Sequence, residues 1–175
     1  MENAFLSRRY ILVVVLVFFI MALATWAIAQ ETYMTTTPTA ANQTQSQIDN
    51  LRQTVTPLSI FINNFLVSIL AIVPLGGLIF FGRVMINTGV TIGQLAYNNH
   101  ISPIVYVINI YIPVGTIENL AYAVVLAEGI FLLYALAKGN IVERLRTQTW
   151  KSLVLYLVLL TVAAIVEWAL ITANI

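Results

Sequence analysis

The chain has 175 residues, 60% of them hydrophobic and only 9% charged. A soluble domain carries about 25% charged residues, so this composition, with a mean hydropathy of +0.91, excludes a water-soluble globular enzyme and points to a membrane protein. Eight Lys and Arg against seven Asp and Glu leave a net charge of +1, which argues against a nucleic-acid partner; the absence of cysteine and the single histidine, His100, exclude disulfides, thiolate metal centres and His-rich metal sites.

A bilayer core needs about 20 apolar residues per helix, so the gaps between charge clusters are the candidate spans. The first runs from Tyr10 to Ile28, directly after Arg8 and Arg9. Residues 1–29 read as an N-terminal membrane anchor. Ala27-Ile28-Ala29 also has the look of a signal-peptide cleavage site, but the apolar run exceeds the roughly 7–15 residues of a signal h-region. Residues 30–56 read as an external polar loop rich in Thr, Asn and Gln, unable to bury enough apolar surface to fold alone. A helical connector with Ile48, Leu51 and Val55 as a weak stripe is the alternative. Within it, Asn42-Gln43-Thr44 is an N-x-T sequon, so Asn42 is a candidate glycosylation site.

Residues 57–175 read as a four-helix membrane domain. The second span runs from about Pro57 to Phe81 and ends at Arg83; the third begins near Val84 and fades at Tyr97-Asn98-Asn99-His100. From Ile104 to Ala137 the chain is apolar again, too long for one span and short for two. Pro113 and Gly115 interrupt it, which predicts a short leading segment over Ile104–Ile112, a break, and a full helix from about Val114 to Ala137. The last span runs from about Leu153 to Thr172. The expected fold is therefore all-α, a polytopic membrane bundle of about five transmembrane helices with a Pro/Gly break before the fourth. An alternating path places seven of the eight basic residues on one side and only Arg52 on the other. By the positive-inside rule the protein is expected in the cell membrane, N-terminus cytoplasmic and C-terminus external. The inner segment Lys138–Lys151, with Ile141, Leu145 and Trp150 among its charges, reads as a short helix on the inner leaflet or a docking point for a cytoplasmic partner.

Polar groups within the bilayer must turn to protein or to a wet cavity. Asn63 and Asn64 open the second span; Asn87-Thr88-Gly89 and Gln94 lie in the third; Glu118, Asn119 and Glu128 lie in the fourth; Glu167 lies in the last. Near the start of a helix, Glu118 meets the positive end of the dipole. It caps that helix or bonds Asn63 or Asn64, or else handles a proton, an ion or a lipid headgroup. Glu128 is deeper, so it is neutral or paired. With no Lys or Arg placed at its depth, the preferred state is a protonated Glu128 bonded to Asn87 or Thr88. Gly76, Gly77 and Gly82, with the G-x-x-x-G pair Gly89 and Gly93, predict close packing between spans two and three. No Ser-His-Asp set, phosphate loop or metal-ligand spacing is visible, so neither enzymatic activity nor a cofactor or metal is expected.

The order of these marks resembles one family. Phe61-Ile62-Asn63-Asn64 is similar to the F-x-x-N-N element of stage II sporulation protein M-like membrane proteins, and Asn87-Thr88-Gly89 with Gly93 to their N-G-x-x-x-G segment. Pro113, Gly115, Glu118 and Ala121 resemble the P-H-G-x-x-E-x-x-A signature, with Gly129 following, and the likeness covers about Phe61 to Gly139. Val114 stands where the family usually has histidine, and Thr88 is inserted into the Asn-Gly pair, marking a divergent member. The resemblance implies an integral membrane protein without enzymatic activity. The named member anchors a cell-wall-degrading complex in spore formers, whereas others occur in organisms that make no spores, archaea among them; the polar outer loop fits such a source. The leading functional expectation is a scaffold or accessory subunit that organises a membrane complex, its partners being the lipid bilayer and other membrane proteins, a second copy of the chain included. The alternative is a permease-like or channel subunit whose broken fourth helix, Asn63, Asn64 and Glu118 line a path.

Overall fold

The computed structural model describes residues 5–74 and 76–173, and every regular element among them is helical. In chain order these are α1 (Arg8–Thr35), α2 (Pro38–Thr54), α3 (Pro57–Ser68) continued by a 3₁₀ turn (Ile69–Ile72), α4 (Gly76–Asn98), α5 (Pro103–Tyr106), a π-turn (Val107–Tyr111), α6 (Ile112–Ala137), α7 (Ile141–Arg144), a second π-turn (Leu145–Thr149) and α8 (Trp150–Thr172). A hydroxyl residue followed by proline opens α2, α3 and α5. Thr37 accepts from the Ala40 amide and Thr56 forms a reciprocal capping box with Ser59, while Pro38, Pro57 and Pro103 occupy the first turn, where an N–H would have no partner. Gly139, at φ +72°, ends α6: the Asn140 amide reaches back to the Ala135 carbonyl at 3.0 Å, a closure that needs the left-handed backbone glycine adopts freely.

Contacts fix the direction of each element. Gly89 of α4 lies on Thr25 and Ile28 of α1, and Gly93 on Ala29 and Thr32; the positions rise together, so α1 and α4 are parallel. Tyr10 meets Val124 and Phe131 of α6, whereas Ala29 clusters with Tyr106 at the other end, so α5–α6 runs against α1. The tight turn at Gly139 sends α8 back along α6. Ile72 sits on Gly129 while Ser68 meets Tyr156 of α8, so α3 runs against α8. Thus α1, α4 and α8 point one way, and α3 and α5–α6 the other. The strongly buried α6 forms the axis of the bundle.

Among the described residues, three helices are long and apolar enough to cross a membrane: Arg8–Thr35, Gly115–Ala137 and the continuous Ile141–Thr172; a shorter apolar helix covers Pro57–Ile72. The protein is an all-helical membrane-type bundle, and several expectations about its elements are corrected. The chain reverses between α3 and α4 at Val73-Pro74, ahead of Arg83, which lies exposed seven residues inside α4. Charge gaps misplaced this turn because Arg can sit within an apolar helix and extend its stem toward water; the actual breaker is proline. The break at Pro113 is absent. The π-turn immediately before it bonds the Ile112 amide to the Val107 carbonyl, and this wider spacing carries the helix through a residue that lacks an N–H. Of the two forms open to residues 30–56, the helical connector is the one adopted. α1 extends to Thr35 and α2 follows, its Ala41 buried and its Thr44 Oγ1 donating to Gln94 Oε1 of α4 at 2.6 Å. α1 is also a core element, burying Tyr10, Val14, Val17, Met21, Thr25 and Ala29.

Candidate functional site

The largest concentration of buried polar groups lies where α1 begins and α6 meets α8. Glu128 is 0% exposed and Arg144 7%. Arg144 Nε donates to Glu128 Oε1 at 2.9 Å and Nη2 to Oε2 at 2.8 Å, the parallel two-pronged fit that guanidinium geometry favours. Thr149 Oγ1 donates to Oε1 and Ser152 Oγ to Oε2, each at 2.8 Å. Four donors therefore cover both carboxylate oxygens. Tyr10 OH donates to Ser152 Oγ at 3.0 Å, tying α1 into the chain of bonds, and its ring stacks on Phe131 with centroids 5.5 Å apart. The Arg144 guanidinium lies 4.7 Å from that same Phe131 ring, a cation–π contact strengthened by desolvation.

The second π-turn makes this convergence work. In an ordinary α-helix, residues five apart point in well-separated directions; with i→i+5 bonding they lie about one turn apart on the same face. Arg144 and Thr149 have that spacing, and Thr149 Oγ1 is 3.3 Å from the Arg144 carbonyl. Ser152 follows one α-turn later. The expectation of a protonated Glu128 bonded to Asn87 or Thr88 is corrected: Glu128 is half of an ion pair, and its hydroxyl partners are Thr149 and Ser152. The segment Lys138–Lys151 is likewise no separate surface helix, since from Ile141 it is continuous with α8. Removing only the Tyr10 hydroxyl, by Tyr10→Phe, leaves the ring stack and the four carboxylate bonds. It should lower stability by about 0.5–1.5 kcal/mol, read as a small shift in the unfolding midpoint in detergent.

A second polar group lies at the other end of α6. Tyr122 OH donates to Glu118 Oε1, and the Tyr122 ring meets Phe81 of α4 edge-on at 6.2 Å. Glu167 of α8 is near enough for its charge to act on Glu118. Because α6 continues upstream, Glu118 caps no helix start, and its hydroxyl partner comes from its own helix rather than from Asn63 or Asn64. Those two pair with each other, Asn63 Nδ2 donating to Asn64 Oδ1 at 3.2 Å; Asn64 is buried and Asn63 exposed. One turn on, Ser68 Oγ and Tyr156 OH share a hydrogen bond of 2.7 Å. Asn87 is exposed on α4, Asn119 is half-buried, and Asn42 is exposed on α2. The residues that resemble the family signature stay on one helix: Pro113 is exposed, Gly115 buried and Ala121 fully buried.

The glycines divide. Gly89 and Gly93 make a close helix pair, but with α1, not between spans two and three, because α3 packs on α8 instead. A Cβ on Gly77 would strike the Ala71 backbone, and one on Gly129 would come 2.5 Å from the Ala71 carbonyl oxygen. Gly77 thus lets the 3₁₀ turn close against α4, and Gly129 lets it close against α6. Gly76 has ordinary spacing and Gly82 faces open space. Arg144, Thr149, Ser152 and Tyr10 are functional candidates that pattern reading passed over. The available signal was a hydroxyl residue at each of Thr149 and Ser152, at the entrance of an otherwise apolar span. Among the described residues no group of three or more His, Cys, Asp or Glu is placed to hold a metal ion.

The family model for stage II sporulation protein M matches residues 13–172, a wider stretch than the motifs alone covered. The chain belongs to that family. Neither a curated protein nor a solved structure matches it.

Proposed function

We propose that this member of the stage II sporulation protein M family is a non-enzymatic membrane scaffold or accessory subunit that organises other membrane proteins. The observation that carries the reading is the saturation of Glu128. Its carboxylate is fully engaged by Arg144, Thr149 and Ser152, so the most buried charges serve to fasten α1, α6 and α8 into a rigid platform. A five-pass path accounts for the alternating directions of α1, α3, α4, α5–α6 and α8, with α3 and its 3₁₀ turn as a short arm. Arg8, Arg9, Lys138, Arg144, Arg146 and Lys151 lie toward one end of the bundle. The positive-inside rule makes that end cytoplasmic, with the C-terminus outside a cell membrane. Partners then meet the lipid-facing helices, α2 or the cytoplasmic end.

The experiment is affinity purification of the full chain in mild detergent, with the co-purifying membrane proteins identified. A scaffold retains a defined set of partners, keeps them in Glu118→Gln, and loses them on substitutions along α2 or the cytoplasmic end. Recovery of the chain alone, under conditions that preserve other membrane complexes, would remove the reading. A transport subunit is the second reading, favoured by Glu118 with Tyr122 and the nearby Glu167 in the outer half. In that case Glu118→Gln assembles normally, yet abolishes uptake in reconstituted vesicles.

A further inference from the structure

The end of the bundle that holds the Glu128 network also carries basic groups which that network leaves unused. Arg146 lies within the π-turn that points Arg144 and Thr149 inward, Lys151 follows it at the start of α8, and neither belongs to the buried set. Arg146 is exposed and Lys151 half-buried, its Nζ 5.8 Å from the centroid of the Trp150 ring. The Phe5 amide donates to Gln148 Oε1 at 2.9 Å, which brings the start of α1, with its exposed Arg8, alongside. Between these charges Val142, Leu145 and Trp150 are 58%, 47% and 53% exposed. Two acids lie in this region among the described residues. Glu128 is matched by Arg144, which leaves Glu143 against Arg8, Arg146 and Lys151.

Basic groups alone would suit any acidic partner in water. Basic groups interleaved with exposed Leu, Val and Trp suit the boundary between lipid headgroups and acyl chains, where stems and rings lie in hydrocarbon and charges meet phosphates. We propose that this surface is a binding site for an anionic phospholipid, its phosphate held between Arg146 and Lys151 and its chains lying on Leu145 and Trp150. The site does not depend on whether the chain acts as a scaffold or as a transport subunit.

The test uses the full chain in dodecyl maltoside, titrated with dioleoylphosphatidylglycerol or dioleoylphosphatidylcholine. Bound lipid is counted by native mass spectrometry and the unfolding temperature is followed in parallel. Phosphatidylglycerol should be retained in clear preference to phosphatidylcholine. At roughly fivefold per basic side chain near an anionic surface, the double substitution R146Q with K151Q should weaken it by about 25-fold. R146K with K151R should keep the preference, which separates lost charge from lost folding, and R83Q should keep it too. Equal retention of both lipids, an undiminished preference in the R146Q/K151Q chain, or loss of preference in R83Q instead would overturn the proposal. A matching rise in unfolding temperature with inorganic phosphate alone would also overturn it, by showing that the acyl chains play no part.

Discussion

Arg144→Ala is expected to cost about 3–5 kcal/mol, the usual consequence of removing one partner from a buried ion pair. Its severity comes from what remains. Glu128 is fully buried, and without the guanidinium its carboxylate would keep only the hydroxyls of Thr149 and Ser152. The Phe131 ring would lose its cation as well, and with it part of the packing that seats Tyr10. Unfolding in mixed micelles of increasing denaturing-detergent content should show a much earlier midpoint. A paired substitution sharpens the result: Glu128→Leu together with Arg144→Met replaces both charges by apolar groups of similar bulk and should recover most of the loss, because a well-packed apolar pair often equals or exceeds a buried salt bridge. If Arg144→Ala unfolded with the wild-type midpoint, the ion pair would not be fastening α6 to α8. If the double substitution were as unstable as the single one, the ion pair would be needed for more than neutralising Glu128.

The helical class, the apolar stretches and the family signature were all legible in the sequence, because lipid imposes a length and a polarity on each span. What stayed hidden was pairing between helices. Glu128 and Arg144 are separated by a turn, and counting back from Gly139 along two straight helices places position 128 opposite position 150, about 9 Å from the level of residue 144. The long Arg side chain and the π-turn close that gap, and a π-turn leaves no plain mark in hydropathy. The same blindness affected Pro113, where an upstream π-turn turned an expected break into a continuous helix. Gly89 and Gly93 were recognisable as a packing pair, but their partner was not: sequence neighbours suggested the second span, whereas the splay of α3 onto α8 leaves α4 to α1. Periodicity tells which face packs. It does not tell against what.

That last pair gives the second large effect. A Cβ at Gly93 would lie 2.6 Å from the Ala29 carbonyl oxygen and 2.7 Å from Thr32 Cβ, and one at Gly89 would lie 2.7 Å from Ile28 Cβ and 2.9 Å from the Thr25 carbonyl oxygen. These neighbours are backbone and branched stems, so they cannot swing aside; the helices must separate. Overpacking of this kind costs about 1–3 kcal/mol per site. Helices in lipid associate largely through such close contact, with no aqueous hydrophobic drive to offset its loss. Gly89→Leu and Gly93→Leu are therefore each expected to loosen α1 from α4, and both together should release it. Gly82→Leu serves as the control on the same helix, since nothing lies within 4 Å of its Cβ position, and it should change stability by no more than about 0.5 kcal/mol. The readout is cross-linking between cysteines placed at Thr25 and Val90, together with the unfolding midpoint. Cross-linking should fall in the Gly89 and Gly93 variants and persist in Gly82→Leu. Equal cross-linking in all of them would mean that α1 and α4 are held together by something other than these two glycines.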